Sequence, residues 1–140
     1  MNYLLDTCLL SELHRVAPNP GVIEWVRNTE ETRLFVSALS LGEIQKGISM
    51  LTAGRRKRAI QSWLDKDLRR RFVGRIVPVE EDIALEWGLY CGASERKGLR
   101  FPVVDSLLAA CCIARNLVIV TRNEKDFESF PVKRVNPWTD

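Results

Sequence analysis

Leu117-Val118-Ile119-Val120-Thr121 sets four apolar residues side by side with no polar residue among them. A strand that reads as an unbroken apolar run is covered on both faces, the habit of parallel sheets rather than of half-exposed antiparallel ones. Working outward, Tyr3-Leu4-Leu5, Leu34-Phe35-Val36 and Arg75-Ile76-Val77 are further short strand candidates, the last stopped by Pro78, and Val132-Lys133-Arg134-Val135 reads as an edge strand. Helical spacing fills the gaps between them. Pro20-Gly21 opens a helix carrying Val22, Trp25 and Val26; Leu41, Ile44, Ile48 and Leu51 form a second stripe; Ile60, Trp63, Leu64, Leu68 and Phe72 line one side of a long basic helix after Gly54. Ile83, Trp87, Tyr90 and Cys91 follow the same spacing up to Gly98. Pro102 begins a last helix with Val104, Leu107, Leu108, Cys111 and Arg115 on one stripe and Asp105, Ala109 and Cys112 on the other face. Ser40 is expected as an N-cap, with Glu43 three residues on as its capping-box partner. Strands alternating with helices predict an α/β fold, a three-layer α/β/α sandwich around a central parallel sheet of four to five short strands.

At 140 residues the chain has room for one domain, expected to span 1–140. Hydrophobic residues at 46% and charged ones at 28% are ordinary for a soluble domain, and no apolar run approaches the roughly 18 residues of a membrane span. Met1-Asn2-Tyr3-Leu4-Leu5-Asp6 lacks the basic start and long apolar stretch of a signal peptide, so a cytoplasmic protein without membrane attachment is expected. Cys8, Cys91 and the adjacent Cys111 and Cys112 include no C-x-x-C pair, which leaves buried free thiols. The net charge is only +3, yet Gly54 to Arg75 holds nine Lys or Arg against Asp65 and Asp67. A basic segment on a mildly acidic body suits either a polyanion-binding enzyme with an acidic centre or a plain solvated helix face.

In a parallel α/β sheet, ligands collect outside the carboxyl ends of the strands. Asp6 and Thr121-Arg122-Asn123 fall there, Glu43 and Asp105 sit in the opening turns of helices that follow loops at that end, and Asp126 trails the apolar run. Each acid also has an ordinary job open to it, as a cap, a favourable charge at a helix start, or an exposed side chain. Carboxylates sharing a pocket cannot all stay ionised without a neutralising cation. Hard oxygen ligands, in a chain whose one histidine is His14, select magnesium, with manganese plausible, over zinc. Magnesium keeps waters and open positions for phosphate oxygens, so phosphodiester hydrolysis is the expected chemistry.

Leu4-Leu5-Asp6-Thr7, Ser40-Leu41-Gly42-Glu43-Ile44, Phe101-Pro102-Val103-Val104-Asp105-Ser106 and Val120-Thr121-Arg122-Asn123-Glu124-Lys125-Asp126-Phe127 resemble, in order and spacing, the successive motifs of the PIN-domain ribonucleases. The chain length, Arg71-Phe72-Val73-Gly74-Arg75-Ile76 and the closing Val135-Asn136-Pro137-Trp138 look most like the VapC- and FitB-type toxins of bacterial toxin–antitoxin pairs. The resemblance covers essentially the whole chain. It implies a magnesium- or manganese-dependent endoribonuclease leaving a 3′-hydroxyl and a 5′-phosphate, a homodimer, and inhibition by a small cognate antitoxin that fills the active-site groove.

By position, Asp6, Glu43 and Asp105 take the family's principal acidic places, as metal ligands. At the fourth place many relatives carry Asp where this chain has Asn123, with Asp126 three residues later, so both are candidates. Cys8 replaces the usual Asn after the Asp-Thr pair, and a thiol supports a neighbouring carboxylate poorly. Thr7, Ser37 and Thr121 are hydroxyl candidates for orienting carboxylates or water. Arg122, with Arg55 and Arg56 and with Arg69 and Arg70 of the two basic clusters, are candidates for RNA phosphates. The departures at Cys8 and Asn123 also admit a degenerate domain that binds RNA or protein without cutting. A receiver domain fits worse, because Pro78-Val79 follows the third strand; so does a haloacid-dehalogenase-type phosphatase, because Cys8 stands where its second Asp belongs.

Overall fold

The computed structural model describes residues 1–140. Five strands form one parallel sheet in the order β3-β2-β1-β4-β5: β1 (Asn2–Leu5), β2 (Leu34–Ser37), β3 (Ile76–Val77), β4 (Leu117–Val120) and β5 (Arg134–Val135). β1 lies at the centre, with Tyr3 opposite Leu34 on one side and Leu5 opposite Val120 on the other. The strands march from β1 through β2 to β3 on one side and resume with β4 on the other. The reversal of direction therefore falls between the carboxyl ends of β1 and β4, the point where open α/β sheets bind their ligands.

Strand alternation divides the core into two layers. Leu4, Val77 and Ile119 pack with Ile83, Leu108, Phe127 and Phe130 on one face; Leu5, Leu34, Val36 and Val120 pack with Leu9, Ile44, Leu68 and Phe72 on the other. Helices α6 (Glu81–Arg96) and α7 (Val103–Arg115) cover the first face. The second is covered by α1 (Thr7–His14), α2 (Pro20–Asn28), α3 (Ala38–Ser49) and α4 (Arg55–Ser62), the last continuing through a π-helical turn (Trp63–Leu68) into α5 (Arg69–Arg71).

Two local expectations, for Ser40 and for Glu43, are corrected. The N-cap of α3 is Ser37, whose Oγ accepts from Leu39 N at 3.1 Å; Ser40 lies within the helix, fully buried, and its Oγ has no hydrogen-bond partner. Glu43 is therefore no capping-box partner and stands in the second turn. On α7, the face bearing Ala109 and Cys112 is buried as deeply as the Leu108 and Cys111 stripe, because a helix laid on a sheet and flanked by a second helix is enclosed over most of its circumference. The helix α1 is absent from the elements read in sequence. It has eight residues, too few to persist without tertiary packing, and takes its stability from burying Leu9 and Leu10. Of the four free cysteines, Cys111 and Cys112 are buried as expected, whereas Cys8 and Cys91 are half-buried.

Candidate active site

Asp6 is the residue that follows β1, and its backbone N donates to Val120 O at 3.0 Å, so it is still held by the sheet. An extended backbone there (φ −68°, ψ 159°) lets the chain turn directly into α1, with Asp6 as N-cap: Thr7 N donates to its Oδ1 at 2.7 Å. Its other oxygen, Oδ2, accepts from Thr121 Oγ1 at 2.8 Å and, more weakly, from the Cys8 thiol at 3.7 Å. Only 6% of Asp6 is exposed. Burial pushes its carboxyl above the ordinary range, the three donors pull the other way, and the Glu43 charge adds to the rise.

Thr7 serves two acids, since its backbone N donates to Asp6 Oδ1 while its Oγ1 donates to Glu43 Oε1 at 2.6 Å. That single residue ties β1 to α3. Asp105 lies in the first turn of α7, half-buried, with its carboxyl raised to about 6 by burial first and then by the charges of Asp126, Asp6 and Glu43. Asp126 is exposed, on a 3-10 turn (Glu124–Phe127), and among the other acids it weighs most on Asp105. Asn123 precedes that turn; its backbone N donates to Thr121 Oγ1 at 2.9 Å, and its side chain makes no capping bond. The structure thus brings Asp6, Glu43, Asp105 and Asp126 into electrostatic contact and leaves the Asn123 amide unengaged.

None of the four acids forms a salt bridge. Four carboxylates repelling one another with no Lys or Arg among them is a donor set that a hard divalent cation satisfies. No three His, Cys, Asp or Glu side chains close into a cage that would hold an ion through protein atoms alone. Magnesium in general takes one or two carboxylates and fills its other positions with water and substrate oxygens, so it does not require such a cage. Glu43 accepts from Thr7 alone and Asp105 from no donor, so both keep oxygens free to ligate.

The remaining candidates separate clearly. Thr7 and Thr121 orient carboxylates, while the Ser37 hydroxyl is occupied by its cap. Arg55, Arg56, Arg69 and Arg70 are exposed and unpaired, whereas Arg71 is held by Glu31 at 2.9 Å. Arg56 shares a cavity of about 580 Å³ with Thr7, Glu43, Ile48, Ile60 and Trp63, and His14 stacks on Trp63 with ring centroids 4.4 Å apart. Arg122 is exposed beside the site with its guanidinium over the Trp138 ring. Cys8, noted in sequence only as a departure, reaches both Asp6 and Thr121, and burial together with the Asp6 charge pushes its thiol up to about 11. It therefore acts here as a weak donor, not a thiolate.

A parallel sheet reversing at β1 and β4, with carboxylates gathered at that reversal, belongs to a definite class: the chain is a member of the PIN domain family, whose model matches residues 3–133. Toxin FitB of Neisseria gonorrhoeae is 28% identical over 137 residues, 98% of this chain and 99% of that protein. VapC ribonuclease Y4jK of Sinorhizobium fredii is 26% identical over 135 residues, 96% of each chain. The crystal structure of FitAcB from Neisseria gonorrhoeae superposes with a TM-score of 0.89 at 28% identity, covering 97% of this chain and 98% of that one. VapBC2 from Rickettsia felis, bound to a DNA fragment from its promoter, gives 0.72 at 27%, covering 97% and 98%.

Proposed function

We propose that this chain, as one nuclease domain over residues 1–140, is a Mg2+-dependent endoribonuclease and the toxin of a toxin–antitoxin pair. The observation that carries the proposal is the convergence of Asp6, Glu43, Asp105 and Asp126 on one strand-end site with no protein cation to neutralise them. Similarity along the full chain to ribonucleases and toxins of that class supports the same reading. Asp6, Glu43 and Asp105 are the proposed ligands, and Asp126 fills the fourth acidic place through its charge. Bound there, magnesium would supply Lewis-acid chemistry, drawing charge from the scissile phosphate and lowering the pKa of an attacking water. Manganese has the same ligand preference.

The protein's own part is orientation. Thr121 and Thr7 fix Asp6, and Thr7 fixes Glu43, so the carboxylate oxygens are held before substrate arrives. Asp105, its carboxyl raised to about 6 by burial and by the charges of its neighbours, is an acid that an added positive charge would return toward its ionised form. Arg122 and the exposed arginines of α4 and α5 offer contacts to RNA phosphates. The cavity reaching from Glu43 to Trp63 offers an apolar seat for the antitoxin. A homodimer in the cytoplasm completes the reading; Leu85 and Leu89, one turn apart on α6, remain 63% and 71% exposed and are the apolar surface available to a second copy.

The deciding experiment is cleavage of end-labelled RNA by the purified chain. Cleavage with magnesium, none with a chelator, and none by Asp6→Asn or Asp105→Asn, each shown by circular dichroism to remain folded, is the expected pattern. Equal cleavage by those variants would overturn the assignment, and RNA binding without any cleavage would favour a non-cutting binding domain.

A further inference from the structure

Thr121 is bonded to Asp6 and to Asn123 N, so the backbone of the next residue, Arg122, is pinned beside the carboxylates. An arginine so placed would be expected to fold onto one of the acids. It does not: Arg122 forms no ion pair, and its guanidinium carbon lies 5.7 Å from the centroid of the Trp138 ring. That distance is within the range of a cation–π contact, worth about 0.5–1 kcal/mol at an exposed site. Such a contact also removes part of the rotamer freedom that a long side chain must otherwise lose on binding a ligand.

The ring itself is fixed from behind. Trp138 Nε1 donates to Glu12 Oε1 at 3.3 Å, and Trp138 N donates to Asn136 Oδ1 at 3.0 Å. Glu12 is a carboxylate 4% exposed on α1, outside the acidic site. Burial acts to raise its carboxyl, but Asn19 N at 3.1 Å, the Trp138 indole and Arg15 outweigh that and hold it below the ordinary range. The lowered pKa favours the charged form, the stronger acceptor for the indole. Asn136 Nδ2 in turn donates to Glu124 Oε2 at 3.1 Å, so the Asn136–Trp138 segment grips the loop after β4 at two points, Arg122 and Glu124.

Resting on the nuclease function proposed above, we infer that Trp138 is a positioning residue, locked by Glu12, that holds the Arg122 guanidinium off the acids and ready for an RNA phosphate beside the scissile bond. Glu12 on α1 and Trp138 lie 126 positions apart in sequence, and this contact gives them one shared task.

A double-mutant cycle tests it: wild type, Arg122→Ala, Trp138→Leu and the double variant, on a single-stranded RNA oligonucleotide with magnesium. Arg122→Ala and Trp138→Leu should each lower kcat/KM about tenfold, the size of one charged hydrogen bond, with the double variant no worse than either. Trp138→Phe keeps a ring face but loses the indole N–H, and an intermediate loss is expected; it also replaces Trp138→Leu in the cycle should the latter not fold. In chelator, anisotropy of the labelled RNA should show the slope of log K against log salt reduced by about 0.7, one single-strand phosphate, in Arg122→Ala and in Trp138→Leu alike. Wild-type kcat/KM and slope in Trp138→Leu, or losses that multiply in the double variant, overturn the inference. A wild-type chain that binds RNA without cutting sinks the nuclease reading instead, and the salt slopes then still decide the role of Trp138.

Discussion

Thr121 Oγ1 donates to Asp6 Oδ2 at 2.8 Å across the junction of β4 and β1. The register that sets Leu5 opposite Val120 makes this pair inevitable, because one step further along each strand the two side chains emerge together at the sheet's reversal point. A hydroxyl bound to a buried carboxylate both orients it and favours its charged form. Thr121→Val keeps the shape and removes the donor. Magnesium affinity, read by titration calorimetry, should fall about 10- to 100-fold, with cleavage falling in parallel. Unchanged affinity would mean that the Thr7 N–H suffices to orient Asp6.

Asp105 predicts a pH dependence with a definite sign. In the folded chain its carboxyl keeps its proton up to about 6, whereas an unfolded aspartate releases it near ~4. Between those values the folded state binds more protons than the unfolded one, so this residue's contribution to stability falls as pH rises, and the cost is complete above about 6. In metal-free protein, Asp105→Asn should melt above wild type at pH 7.5, the gap closing toward pH 4. Adding magnesium should raise the wild-type melting point and leave the variant nearly unmoved. A gap independent of pH would show that the substitution acts through packing rather than charge.

Ser37 and Ser40 make opposite predictions although they lie one turn apart. Ser37→Ala loses the α3 cap and should cost about 1 kcal/mol in urea unfolding. Ser40→Ala removes a buried hydroxyl without a partner and should be neutral or stabilising by up to about 1 kcal/mol. A larger loss at Ser40 than at Ser37 would restore Ser40 as the cap.

That pair also marks where sequence becomes ambiguous. Ser37 and Ser40 both stand before an apolar helical stripe, and only the observed end of β2 decides between them. Glu43 lacks the capping partner that its spacing from Ser40 suggests, yet its place near the strand ends is legible, because any helix following β2 must start there. The run at Leu117–Val120 declared its burial through composition, and β4 is buried at every position. The helix α1 left no comparable mark, being short and dependent on packing. Asn123 and Asp126 could not be ranked by spacing alone, since which of them faces Asp105 depends on how the turn after β4 coils. Glu12 and Trp138 sit 126 positions apart, and no local pattern announces that they meet.

Gly21 offers a last test, remote from the acids. A Cβ built there would meet Pro137 O at 2.6 Å and Asn19 Oδ1 at 3.1 Å, the former a backbone atom that cannot simply rotate aside. Gly21→Ala must therefore push the Asn136–Trp138 segment away from α2, at a cost of about 1–3 kcal/mol. The displaced indole loosens its bond to Glu12 and the support under Arg122, while Asp6, Glu43 and Asp105 keep their own hydrogen bonds and neighbours. The variant should melt at a lower temperature, bind magnesium as wild type does by calorimetry, and lose RNA affinity and kcat/KM to the extent that Trp138→Leu does. Loss of magnesium binding would instead mean that the strain reaches the carboxylates through α1.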